Sequence, residues 1–144
     1  MKRYQSLAPL SREHHPALLL AQLLKKNAPL YKGMPAEPVA KAVYALNFFL
    51  TDLKTHFEKE ELLLKKVAGF NKEIDRVAVE IIQEHGDLTN DFLTIQTTKD
   101  PADRLDALGR QLEQHIRKEE RVLFPLIEQY CPEALLTEIA VLIT

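Results

Sequence analysis

Along four stretches of this chain the apolar residues recur at alternating steps of three and four, and each row contains one histidine. The first row holds Leu10, His14, Ala17, Ala21 and Leu24. The second holds Ala42, Leu46, Phe49, Leu53, His56, Glu60, Leu63 and Val67. The third runs through Ile74, Ala78, Ile81, His85, Leu88, Phe92 and Ile95, and the fourth through Leu105, Leu108, Leu112, His115, Glu119, Val122 and Leu126. Such an alternation keeps side chains on one helical stripe and forms the buried seam of a left-handed bundle. The punctuation agrees. Pro29, Gly33, Pro35 and Pro38 crowd one connection, Gly69 closes a helix, and Asn71 can cap the next. Asp100-Pro101 reads as an N-cap followed by a first-turn proline, and Cys131-Pro132 as a last restart. These signals predict helices over 10–27, 38–67, 72–97 and 101–129, and a short one over 132–143. Short connections make successive helices antiparallel. The expected fold is all-α: an antiparallel up-down-up-down four-helix bundle with a short C-terminal fifth helix, one domain over residues 1–144.

The 144 residues suffice for a core without staples. Charged residues make up 28% and the net charge is −2, so no basic surface for a nucleic acid is expected. Lysines are followed by acids, as in Lys59-Glu60-Glu61 and Lys118-Glu119-Glu120, the pattern of a solvated helix face apart from Glu60 and Glu119. The single cysteine, Cys131, cannot form an intramolecular disulfide. Met1–Ser6 lacks the apolar stretch of a signal peptide, and no apolar run approaches the ~20 residues of a membrane span. The expectation is a cytoplasmic protein with no membrane partner. No nucleophile constellation, phosphate loop or cofactor fingerprint is present, so no catalytic residue is assigned.

Each seam histidine taken alone could be a hydrogen-bonded core residue. Together they are harder to explain that way. Seam positions are about two in seven, so four helices each placing a histidine there by chance is of order one per cent. Glu60 and Glu119 each follow a histidine by four residues, which puts both side chains on one helix face. The heights match too: His56, His85 and His115 lie at similar distances from their connecting turns, mismatched by only ~3–5 Å at 1.5 Å per residue. Six buried ionisable groups without compensation would cost more than the stability of an ordinary domain. Metal ions supply that compensation. Imidazole and carboxylate without thiolate suit iron, and also manganese, zinc or copper. Six ligands exceed one tetrahedral zinc, so two ions fit better, with carboxylates able to bridge them.

There is also a faint internal duplication. His56-Phe57-Glu58-Lys59-Glu60-Glu61 echoes His115-Ile116-Arg117-Lys118-Glu119-Glu120, and Glu13-His14 echoes Glu84-His85. The first and second helices therefore look like a copy of the third and fourth.

The pattern His14, His56-x-x-x-Glu60, His85, His115-x-x-x-Glu119 resembles the hemerythrin family, in the form called the HHE cation-binding domain, over roughly residues 7–129. The resemblance implies two iron ions, an oxo- or hydroxo-bridged pair also bridged by carboxylate. It implies metal ligands at His14, His56, Glu60, His85, His115 and Glu119. Oxygen carriers of the family place the last carboxylate five residues after its histidine, which makes Glu120 the alternative to Glu119. His15 is the alternative to His14, which is preferred because it shares a row with Leu10 and Ala17. Two departures stand out. The carriers have a further histidine where this chain has Ile81, leaving one ion a protein ligand short, to be completed by solvent, an exogenous molecule or His15. Pro16 should start or kink a helix just after both candidate histidines.

The leading functional expectation is a non-haem di-iron protein that binds or senses dioxygen or iron, a binding protein before an enzyme. The alternative is a di-iron enzyme handling a small oxidant such as peroxide or nitric oxide. A third reading is a metal-free helical interaction protein, with Leu135, Leu136, Ile139, Leu142 and Ile143 as the partner stripe.

Overall fold

The computed structural model describes residues 5–143. Residues 1–4, part of the segment read above as lacking an apolar leader, and Thr144 lie outside them. Among the described residues the chain is all-helical, with no strand. Helix α1 is Ala8–Leu24. Helix α2 spans 38–67 as Pro38–Phe48, a π turn at Phe49–Leu53, and Lys54–Val67. Helix α3, Lys72–Thr94, ends in a 3-10 turn at Ile95–Thr97. Helix α4 spans 102–130 as Ala102–Lys118, a second π turn at Glu119–Leu123, and Phe124–Tyr130. Helix α5 is Glu133–Leu142.

The ends follow from local chemistry. Pro38 opens α2, where a missing N–H has no consequence. Asn71 Oδ1 accepts the N–H groups of Glu73 at 2.9 Å and Ile74 at 3.2 Å, capping α3. Gly69, at φ +87°, makes the left-handed turn between α2 and α3 that a side chain would strain. Helix α1 begins two residues earlier than its apolar row, and Pro16 lies inside it rather than starting it. His14 therefore sits well within a formed helix. The helix stops at Leu24 because Lys25 turns extended (ψ 144°), three residues short of the expected end.

The π turns explain where the expected seam fails. In each, an N–H bonds the carbonyl five residues back, Lys54 to Phe49 and Phe124 to Glu119. One residue is thereby added to the turn, and everything beyond rotates by about 100°. Past Glu119 the predicted inner positions Val122 and Leu126 are exposed and half-buried, whereas Leu123 and Ile127 are fully buried. Before the first π turn, Ala45 lies inside and Leu46 is half-buried.

Polar contacts between helices rise along one and fall along its neighbour. Between α1 and α4, Ser11 Oγ donates to Glu120, Lys25 pairs with Glu113, and the Lys26 N–H donates to Asp106. Between α3 and α4, Lys118 pairs with Glu80 and Glu84, and Arg104 donates to the Thr94 carbonyl. Helices α1 and α4 approach closely at Gly109, where an added Cβ would stand 2.6 Å from the Ala21 carbonyl oxygen. Only a residue without a side chain lets the two backbones meet there.

The apolar interior divides into two clusters. One gathers Ala21, Phe49, Leu53, Leu88, Phe92 and Leu112. The other gathers Leu10, Leu63, Ile81, Leu123, Phe124 and Ile139. Helix α5 closes the second cluster by burying Leu136, Ile139 and Ile143. Its apolar stripe is thus largely spent on the chain's own core, with Leu135 half-buried and Leu142 39% exposed. Cys131 is buried in the same cluster.

Candidate metal centre

Six ionisable side chains are buried inside the bundle: His14, His56, Glu60, His85, His115 and Glu119, none more than 4% exposed. They form two groups that share both carboxylates. His14 and His56 meet Glu60 and Glu119 on one side; His85 and His115 meet the same two glutamates on the other. Within each group the donor atoms all lie within 4.8 Å of one another. Each carboxylate divides its two oxygens between the groups. Glu60 Oε2 faces the Nε2 atoms of His14 at 3.2 Å and His56 at 2.9 Å, while its Oε1 faces His85 Nε2 at 2.9 Å. Glu119 Oε1 faces His14 Nε2 at 3.0 Å, while its Oε2 faces His115 Nε2 at 3.3 Å and His85 Nε2 at 3.8 Å.

Glu60 is hydrogen-bonded to the Nε2 atoms of His14 and His85, but the other close contacts are not hydrogen bonds. His56 Nε2, His115 Nε2 and both oxygens of Glu119 are buried without a hydrogen-bond partner, although oppositely charged atoms lie close by. These atoms aim at shared space rather than at each other. Orphaned buried polar atoms are rare and call for an explanation. A cation held between imidazole nitrogens and carboxylate oxygens satisfies all of them at once.

The outward nitrogens are all engaged. Nδ1 of His14 lies 2.6 Å from Glu120, that of His56 2.8 Å from Glu13, that of His85 2.9 Å from Glu61, and that of His115 2.7 Å from Glu84. Aromatic rings hold the imidazoles as well. Phe57 stacks on His85 at 4.1 Å between centroids and meets His115 edge-on, and Phe124 lies parallel to His14 at 5.7 Å.

Without metal, this packing makes the histidines strong bases. Burial pushes His14 down, but the carboxylates of Glu119, Glu120 and Glu60 outweigh it and raise the group to about 12. Burial likewise opposes His56, His85 and His115, yet neighbouring carboxylates raise them to about 9, 10 and 9. Glu119 is pushed up by burial and by Glu60, and held down at about 2 by His115 and His14. Glu60 is held well below the ordinary carboxylate range by His56, His14 and His85 against the cost of burial.

The alternatives fall outside both groups. His15 is exposed and belongs to neither group. Glu120 points to the outer nitrogen of His14. Ile81 is fully buried in the second apolar cluster. The structure also distributes the histidines evenly, two to each group, so the missing carrier histidine leaves the two halves alike. Sequence reasoning missed the outer places of Glu13, Glu61 and Glu84, and weighed Glu120 as a ligand rather than as an outer partner. The duplicated Glu-His and Glu-Glu pairs carry their trace, which in sequence alone looks like a repeat and a solvated face.

A family profile described as the hemerythrin HHE cation binding domain matches residues 5–127. No curated protein and no solved structure matched the chain. With nearly all of its length matched and a His/Glu cluster suited to cations buried at its centre, the chain belongs to the hemerythrin HHE cation-binding domain family.

Proposed function

We propose that this chain is one antiparallel up-down-up-down domain that holds two iron ions and uses them to bind or sense dioxygen. The observation that carries the reading is the division of Glu60 and Glu119 between two histidine pairs, the arrangement two bridged ions require. His14 and His56 would hold one ion, His85 and His115 the other, and both carboxylates would join them. The crossing contacts between α1 and α4 and between α3 and α4 support the antiparallel order.

Charge supports two divalent ions as well. Glu13, Glu60, Glu61, Glu84, Glu119 and Glu120 surround the site, and Lys59 and Lys118 pair with two of them. The carboxylates then exceed the ammonium groups by four charges, which two divalent ions balance once they displace the protons of the four histidines. Imidazole and carboxylate donors without thiolate suit ferrous iron. When bound, such a pair supplies reducing electrons and coordination positions for a small oxidant. The lone buried thiol of Cys131 is in keeping with a reducing compartment such as the cytoplasm. No helix among the described residues is long and apolar enough to cross a membrane.

The protein's own part is to leave room and keep water out. Each half offers four donor groups, fewer than the six an octahedral ion takes, so positions remain for an exchangeable ligand. Leu53, Leu88 and Leu112 flank the site and are almost wholly buried. A cavity of about 330 Å³ lined by Glu13, Pro16, Leu53 and His56 lies at the outer edge of the first half. These open positions favour sensing through onward reaction with oxygen over reversible storage. Anaerobically loaded ferrous protein mixed with oxygenated buffer by stopped flow is therefore expected to oxidise quickly and irreversibly. Ile81→His, one turn before His85, is expected to slow that reaction. A colour that develops with oxygen and vanishes on purging with argon would instead identify a carrier. A loaded protein whose iron stays ferrous in air would contradict the oxygen reading.

A further inference from the structure

Outside the six buried groups, four half-buried glutamates form a closed circuit around the bundle. Glu13 of α1 meets His56 of α2, Glu61 of α2 meets His85 of α3, Glu84 of α3 meets His115 of α4, and Glu120 of α4 meets His14 of α1. Every pair of successive helices is joined once, and the last is joined back to the first. The sequence explains the order. Glu13 and Glu84 precede a buried histidine by one residue, and Glu61 and Glu120 follow a buried glutamate by one. Neighbours on a helix are about 100° apart, so a residue beside an inward-facing one points into the groove against the adjoining helix.

We propose that Glu13, Glu61, Glu84 and Glu120 are positioning residues whose carboxylates accept the Nδ1–H of the histidine on the next helix and thereby set the affinity of the centre. The inference rests on the metal reading above. A histidine that donates through Nδ1 presents an Nε2 lone pair, and here every Nε2 faces the shared carboxylates. The hydrogen bond also fixes the ring plane, so donors need not be ordered when the ion arrives. Further bonds hold the glutamates themselves. Lys59 donates to Glu13 at 2.9 Å, Lys118 to Glu84 at 2.6 Å, and Ser11 to Glu120 at 2.7 Å. Lys59 and Lys118 occupy matching places in the duplicated halves, so the support is repeated along with the site.

The test uses cobalt(II), whose visible bands report coordination geometry, with affinity read by competition against a coloured chelator. Alanine at each of the four glutamates is expected to weaken cobalt binding about 10–100-fold and to shift the bands. Glu84→Gln keeps an oxygen that accepts the Nδ1–H, and is expected to regain most of the affinity and the original bands. Glu58→Ala, at an exposed glutamate on the same helix as Glu61, should change neither. Circular dichroism of each metal-free variant separates weaker binding from failure to fold. Alanine variants with unchanged affinity and bands would overturn the proposal. So would a Glu84→Gln protein as weak as Glu84→Ala, because charge rather than the hydrogen bond would then be responsible. An unmodified protein that takes up no cobalt would overturn the metal reading as well, and is told apart because it is read before any substitution.

Discussion

Glu60→Ala and Glu119→Ala are each expected to lose both metal ions, whereas His14→Leu and His115→Leu should each lose one. The difference arises because each carboxylate serves both groups and each histidine serves one. Removing one partner from a buried charged cluster typically costs about 3–5 kcal/mol, or roughly two to four orders of magnitude in affinity. The metal-free proteins should respond differently. Glu60→Ala leaves His14, His56 and His85 without the carboxylate that balances them, and is expected to be destabilised. His85→Leu takes one of several imidazole partners from Glu60 and the partner of Glu61, and its metal-free form is expected to be destabilised, though less than Glu60→Ala. Metal analysis and chemical denaturation of these five proteins read both effects. A Glu60→Ala protein that retained two ions, or a His85→Leu protein with full iron affinity, would show that these side chains are not ligands.

Metal uptake should expel protons, up to about two per ion. Near neutral pH the metal-free cluster carries its histidines protonated, since neighbouring carboxylates raise them to between about 9 and 12. A group raised on folding stabilises fully below its unfolded value, 6.5 for histidine, and that stability fades as pH climbs through the folded value. The lowered Glu60 and Glu119 act in the opposite sense. Their contribution is present above 4.5 and is lost as pH falls, for Glu119 through about 2. The metal-free protein is therefore expected to be most stable between about pH 4.5 and 6.5, and iron should bind more tightly as pH rises towards 9. Calorimetric titration in buffers of different ionisation enthalpy counts the protons released. Thermal unfolding of the metal-free form across pH locates its maximum. Uptake without proton release would mean that the ions bind away from these histidines.

The helices and the inward row were legible because both are local. A three–four spacing fixes which residues share a stripe wherever the helix stands, so His14 could be separated from His15 on phase alone. The π turns were not legible, since widening one turn at Phe49–Leu53 or Glu119–Leu123 depends on what the neighbouring helices accept. Val122 and Leu126 were consequently placed inside when Leu123 and Ile127 belong there. The outer glutamates were hidden for another reason. Glu61 and Glu84 look like ordinary surface acids until it is known which helix lies beside each, and that is a tertiary fact. Helix α5 shows the same limit: the residues of its stripe were identified, but the surface that covers them was not.

The central claim is that one chain holds two iron ions on shared carboxylates. It is tested most directly by loading the metal-free protein anaerobically with excess ferrous iron, removing what is unbound, and measuring iron per chain. The account predicts a plateau at two equivalents, falling towards one in His14→Leu. A reproducible plateau at one equivalent in the unmodified protein, or retention of zinc in preference to iron, would contradict it.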